Sequence, residues 1–129
     1  MKLEEIGKVV MDSDFAVHRE LGPGLLESAY EHCLAFELVR RRIKVECQKE
    51  LPLIYRGVKV DAGYRIDLLI EQQIVVELKA IERIEPIHKA QLISYLKLSG
   101  LHLGFLINFN TRMLRDGLHR LVYQLPNSS

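Results

Sequence analysis

The chain lacks most of the signatures that would assign it quickly. Its two cysteines, Cys33 and Cys47, cannot build a disulfide framework and have no C-x-x-C spacing, so a reducing cytoplasmic setting is expected. No apolar run approaches the ~18 residues that a membrane-spanning helix requires, and no membrane partner is expected. The opening residues, Met1 to Ile6, lack the apolar stretch of a secretory signal. Five histidines (His18, His32, His88, His102 and His119) show no zinc-ligand spacing. There is no G-x-S-x-G, P-loop or G-x-G-x-x-G element, no internal repeat, no low-complexity segment and no interdomain linker. The formal net charge is only +1, which at first sight argues against a nucleic-acid partner.

What is present is ordinary for one globular domain: 129 residues, 48% apolar and 27% charged. The charge is unevenly spread. Residues 1–20 carry a net −2, residues 21–60 a net +2, residues 61–85 a net −3 and residues 86–129 a net +4. The densest basic run is Arg40-Arg41-Arg42-Ile43-Lys44. It reads either as the solvated, dipole-matched end of a helix or as a phosphate contact.

Hydrophobic spacing predicts a helix over about Leu3 to Glu20, stopped by Leu21-Gly22-Pro23-Gly24. A second helix is expected over Leu25 to Arg42. Its two apolar rows, Leu26-Ala29-Cys33-Phe36 and Tyr30-Leu34-Leu38, imply burial along much of its length, with Cys33 in the core. Strands are expected at Leu51–Tyr55, Tyr64–Ile70 and Ile74–Ala80, with a further run beginning at Val58 and the Ile74–Ala80 strand central. A helix from Pro86 to Ser99 stops at Gly100, and strands follow at Leu103–Phe109 and near Leu121–Tyr123. A strand-helix-strand crossover beside a hairpin implies a mixed sheet with helices packed on it.

Several polar residues break this pattern. Asp67 interrupts one strand, and Glu77 and Lys79 interrupt the next. Glu27 lies about 20° from Leu34 on a helical wheel, so it faces the interior or its edge. If Glu71-Gln72-Gln73 is a three-residue loop, Ile70 pairs with Ile74 and Asp67 falls opposite Glu77, with Cβ atoms about 5 Å apart. Two facing carboxylates repel, and three arrangements relieve them. Lys79 or Arg65 can form an ion-pair network, one carboxyl can keep its proton, or a divalent cation can bind between them with Glu27 as a third ligand. Oxygen ligands suit Mg²⁺, Mn²⁺ or Ca²⁺ rather than zinc.

Asp67, followed on the next strand by Glu77-Leu78-Lys79, resembles the PD-(D/E)xK nuclease superfamily. Gly24-Leu25-Leu26-Glu27-Ser28-Ala29-Tyr30 resembles the signature of its small GxxExxY family. The similarity covers roughly Ala16 to Tyr123, leaving residues 1–15 as an N-terminal helical extension and 125–129 as a frayed tail. One departure is that Ile66, not proline, precedes Asp67, and many members lack that proline. The resemblance implies an α/β restriction-endonuclease-like αβββαβ core, with a mixed four-stranded sheet flanked by helices. It implies Mg²⁺ or Mn²⁺ held by Asp67, Glu77 and the backbone carbonyl of Leu78, with Glu27 completing the site. By the same resemblance Lys79 orients or activates the attacking water, and Gln91 and Tyr95 match a Q-x-x-x-Y element of RecB-like members. Gln91 and Tyr95, with His88 three residues before Gln91, share one helix face, which is equally the polar edge of an ordinary packed helix.

The expected function is metal-dependent phosphodiester hydrolysis of nucleic acid, DNA ahead of RNA. The rival is an inactive nucleic-acid- or protein-binding module that keeps the fold. A homodimer would supply recognition surface that 129 residues lack. One bound divalent cation would raise the net charge to about +3, leaving Arg40, Arg41, Arg42 and Lys44 free to face a phosphate backbone.

Overall fold

The computed structural model describes residues 1–125; of the frayed tail expected at 125–129, residues 126–129 lie outside the described residues. Helix α1 runs Leu3–Leu21 and buries Ile6, Val10 and Val17 as one stripe. The chain then reverses through Gly22 and Gly24, whose φ angles of +68° and +100° disfavour any residue with a Cβ. Helix α2 spans Glu27–Arg40, shorter at both ends than the sequence predicts. The buried Tyr30 hydroxyl donates to the Gly22 carbonyl (2.6 Å) and accepts the Leu25 amide (3.1 Å), and its ring stacks on Phe109 at 4.6 Å. One side chain thereby ties the turn to the start of α2.

Only one of the two apolar rows of α2 is buried. Tyr30, Leu34 and Leu38 are fully enclosed, whereas Leu26 and Phe36 are 77% and 71% exposed and Cys33 is exposed. The expectation of a widely buried helix, with Cys33 in the core, is therefore corrected. The helix lies on the outside of the molecule and meets the sheet along a single stripe.

The main sheet has five strands in the order β1-β4-β5-β6-β7. They are β1 (Val45–Glu50), β4 (Arg65–Ile70), β5 (Ile74–Lys79), β6 (Leu103–Asn108) and β7 (Leu118–Val122). All neighbours are antiparallel except β5 and β6, which are parallel and joined by α3 (Pro86–Ser99). Strand β5 is central, as its apolar density predicts. Two corrections concern the sheet's edge. Strand β1 stands where no strand was expected, because its sequence Val-Glu-Cys-Gln-Lys-Glu has polar side chains exposed from Cys47 onward. Conversely, the expected Leu51–Tyr55 strand leaves the sheet: Pro52 has no N–H to offer a ladder, and β2 (Leu53–Tyr55) pairs only with β3 (Val58–Val60) as a separate hairpin. The sheet thus has five strands rather than four.

Helices α1 and α2 cover one face of the sheet and α3 the other, each over its own core. Helix α3 lies close to the sheet at Gly104, where a Cβ would come within 3.0 Å of Leu92 and 3.1 Å of the Val75 carbonyl. Asp14 on α1 is fully buried without a hydrogen-bond partner, and burial pushes its carboxyl well above the usual range. Among the described residues no helix is long and apolar enough to cross a membrane.

The Tyr30 tether yields a test. Tyr30→Phe keeps the stacking but leaves the Gly22 carbonyl and the Leu25 amide without their partner. It should cost about 1–3 kcal/mol in urea unfolding followed by circular dichroism. A cost near zero would show that the hydroxyl does not hold the turn.

Candidate functional site

The β4–β5 hairpin turns through Glu71, Gln72 and Gln73, with the Gln73 amide donating to the Ile70 carbonyl at 2.9 Å. Glu71 and Gln72 adopt left-handed φ angles of +51° and +56°, so the turn forms without the glycine or asparagine that usually supplies them. The strand pairs are Ile70↔Ile74, Leu69↔Val75 and Leu68↔Val76, the register of a three-residue loop. One step further, Asp67 faces Glu77 and the recorded strand pairing stops. Side chains take its place: the Asp67 amide donates to Glu77 Oε2 (2.8 Å), and the Leu78 amide donates to Asp67 Oδ2 (2.9 Å). Each carboxylate is thus held by a backbone N–H of the opposite strand. Side-chain alternation also shifts here, since Leu68 and Ile70 join the core beneath α1 and α2 whereas Ile66 joins the α3 core.

The same row continues onto β1. The pairs Cys47↔Leu68 and Lys49↔Ile66 place Gln48 opposite Asp67. Gln48 Nε2 donates to Glu31 Oε1 (2.6 Å) and to Asp67 Oδ1 (3.2 Å). Its φ of +51° is unusual for a non-glycine residue inside a strand, and its carbonyl accepts from Arg65 at 3.3 Å. Sequence reasoning missed both Gln48 and Glu31. Glu31 lies four residues after Glu27, on the same helix face, and that spacing was a usable signal. Gln48 had none, because its strand does not read as one.

Lys79 is half-buried at the end of β5. Its carbonyl accepts the Phe109 amide at 2.9 Å, and the buried Asn108 side chain bonds the amide and carbonyl of Ile81 at 3.1 and 2.9 Å. Among the described residues neither Lys79 nor Arg65 forms an ion pair with the carboxylates. Of the three ways to relieve Asp67 and Glu77, the ion-pair network is therefore not the one in place.

Glu77 is only 7% exposed. Burial, and next the charge of Asp67, push its carboxyl up to about 8, against the opposing effects of the Asp67 amide and Lys79. Glu27, the first residue of α2, is exposed, yet partial burial and then Asp67 also raise its carboxyl, with Lys79 opposing. Glu27 therefore lies within electrostatic reach of the pair. Among the described residues, however, no three His, Cys, Asp or Glu side chains converge as a ready metal cluster. What the fold preassembles is the pair Asp67 and Glu77.

That pair suits a hard divalent cation. Its donors are oxygens, and one carboxyl holds a proton that a cation can replace. The Leu78 carbonyl points to the same side of its strand as the Leu78 amide, towards the opening beside Asp67. On α3, Gln91 donates to the Tyr95 hydroxyl at 3.0 Å. Burial and then the charge of Glu77 raise the Tyr95 hydroxyl pKa, which puts this pair beside the carboxylates. The basic run is elsewhere. Arg40 and Arg41 pair with Glu37 at 3.7 and 2.7 Å, and the Lys44 amide donates to Glu71 at 2.5 Å. Arg40 is thirteen residues along α2 from Glu27, about 20 Å away. Arg40, Arg41, Arg42 and Lys44 are thus not brought to the site.

The raised Glu77 carboxyl gives a signed prediction. Between the ordinary carboxyl range and about 8 the folded protein binds a proton that the unfolded chain has lost. Stability should therefore fall as pH rises across that window. Glu77→Gln, which keeps an acceptor for the Asp67 amide, should flatten the decline in melting temperature measured by calorimetry, while Asp14 supplies a remaining slope. Equal pH dependence in both proteins would contradict the assignment.

No curated protein and no solved structure matches the chain. A family model described as the PD-(D/E)XK nuclease superfamily matches residues 4–121, nearly the whole described length. With the aspartate of β4 facing the E-x-K of β5 on a mixed sheet flanked by helices, the chain belongs to the PD-(D/E)XK nuclease superfamily.

Proposed function

We propose that this protein is a metal-dependent phosphodiesterase of the GxxExxY family that cleaves nucleic acid, with DNA the first substrate to test. The observation that carries the proposal is the break between β4 and β5, where two carboxylates replace the backbone ladder beside a lysine that forms no ion pair among the described residues. Asp67, Glu77 and the Leu78 carbonyl would hold Mg²⁺ or Mn²⁺, with Glu27 approaching from the start of α2. When bound, the cation supplies a water of lowered pKa and offsets charge on the phosphoryl oxygens.

The chain's own residues supply the rest. Lys79 holds the attacking water by hydrogen bonds and offsets negative charge as the water oxygen bonds to phosphorus and the ester P–O bond breaks. Gln91 and Tyr95 form a hydrogen-bonded pair at the edge of the site and orient the phosphate or the water. Gln48 fixes Asp67 in place from the other side. In the GxxExxY signature, Glu27 carries the chemistry and Tyr30 the placement of the helix that presents it.

The test combines binding with cleavage. Asp67→Ala should abolish Mn²⁺ binding in titration calorimetry. Lys79→Ala should retain Mn²⁺ binding and lose cleavage of DNA or RNA by about a hundredfold or more. EDTA should stop cleavage by the unsubstituted protein. Unchanged Mn²⁺ binding in Asp67→Ala would overturn the metal assignment. No cleavage of any single- or double-stranded substrate at high protein concentration with Mn²⁺ would leave a binding module instead.

A further inference from the structure

We infer that the groove between the β2–β3 hairpin and α3 binds a single strand of nucleic acid and leads it to Lys79; the inference rests on the nuclease reading of the carboxylate site and names the form of its substrate. The groove encloses about 880 Å³ and has Lys79 in its wall, so it opens directly onto the candidate site. One wall comes from Leu53 and Ile54 of β2, the other from α3, and Tyr64 lies between them. The hairpin is an excursion between β1 and β4, which pair with each other directly, and among the described residues it has no strand partner beyond its own two strands. It adds surface beside the main sheet that the sheet itself does not provide.

Two features of the lining select the ligand. The first is charge. Lys79, Lys97 and His88 line the groove, and no carboxylate does. Neither lysine is in an ion pair among the described residues. His88 Nδ1 accepts the Glu85 amide at 2.8 Å, so its other ring nitrogen carries a proton and can donate to a phosphate oxygen. The second is exposed apolar and aromatic surface. Ile54 and Ile87 are 56% and 69% exposed, and Tyr64 is 41% exposed, with its ring edge-on to Tyr95 at 6.0 Å. Duplex bases keep their faces stacked inside the helix and cannot use such a surface. Unpaired bases can stack on it, while the backbone follows the cations. The combination fits a single strand better than a duplex, and phosphate better than an acidic peptide, whose side chains do not need an aromatic platform.

The test separates this inference from the catalytic one by working without metal. In EDTA, fluorescence polarisation compares a labelled oligothymidine with a blunt duplex of equal length. The single strand should bind about tenfold more tightly than the duplex. Tyr64→Ala should weaken single-strand binding by about tenfold and leave duplex binding nearly unchanged. Lys97→Glu, on the exposed face of α3, should weaken binding and reduce its salt dependence. Equal or tighter duplex binding would overturn the inference, as would full single-strand affinity in both Tyr64→Ala and Lys97→Glu. Single-strand binding without Mn²⁺-dependent cleavage would sink the catalytic reading alone. Cleavage with duplex preference would sink this one alone.

Discussion

The site depends on one exchange: the Asp67 amide bonds the Glu77 carboxylate while the Leu78 amide bonds Asp67. An ordinary antiparallel pair would satisfy these amides with backbone carbonyls. Here the strands part, and the side chains bridge the gap. The consequences follow from electrostatics. Two acids are held face to face in a poorly solvated place, and Glu77 answers by keeping its proton up to about pH 8. Leu78 lies beyond the last paired residues of the two strands. A closely held pair of acids is thus built from the local failure of a sheet.

Such a gap persists only because its surroundings are fixed. Strand β5 is central and pairs along its full length with β6, from Ile74↔Leu103 to Lys79↔Asn108. Asn108 and Phe109 then lock the backbone just beyond Lys79. On the other side Gln48 adopts a conformation that costs an ordinary residue of order 1–3 kcal/mol and places one amide between Glu31 and Asp67. That amide separates two like charges that would otherwise meet across β1 and α2. Helix α2 is in turn placed by Tyr30, whose hydroxyl closes the glycine turn and whose ring rests on Phe109, the residue that pins Lys79. The glycine turn, α2 and the end of β5 therefore form one connected support.

What was legible in the sequence was what periodicity and spacing record. Helix α3 runs Pro86–Ser99 as expected, because proline at the start and a left-handed Gly100 at the end are local signals. The Asp67–Glu77 register followed from a three-residue loop and strand alternation. Strand β1 was not legible, since an edge strand with polar outward side chains carries no apolar alternation. Gln48 was lost with it. The second apolar row of α2 misled for the opposite reason: composition shows that Leu26, Cys33 and Phe36 are apolar, and only tertiary placement shows that nothing covers them. Residues whose role is set by their own neighbours in sequence were readable; those set by a partner strand were not.

Charge is the last case of this kind. The net value of +1 says little, because the positive and negative groups do different work in different places. The conspicuous run from Arg40 to Lys44 is about 20 Å from Glu27 and is partly neutralised by Glu37. The groups that would meet phosphate, Lys79, His88 and Lys97, are scattered in sequence and converge only because α3 crosses over β5 and β6. A groove free of carboxylates lies beside a pair of carboxylates, so the field changes sign over a short distance. A phosphate drawn along that groove would meet the charge of Asp67 at its end and be repelled by it. A divalent cation removes that repulsion, and so the same two carboxylates would make the final approach of a phosphate depend on metal.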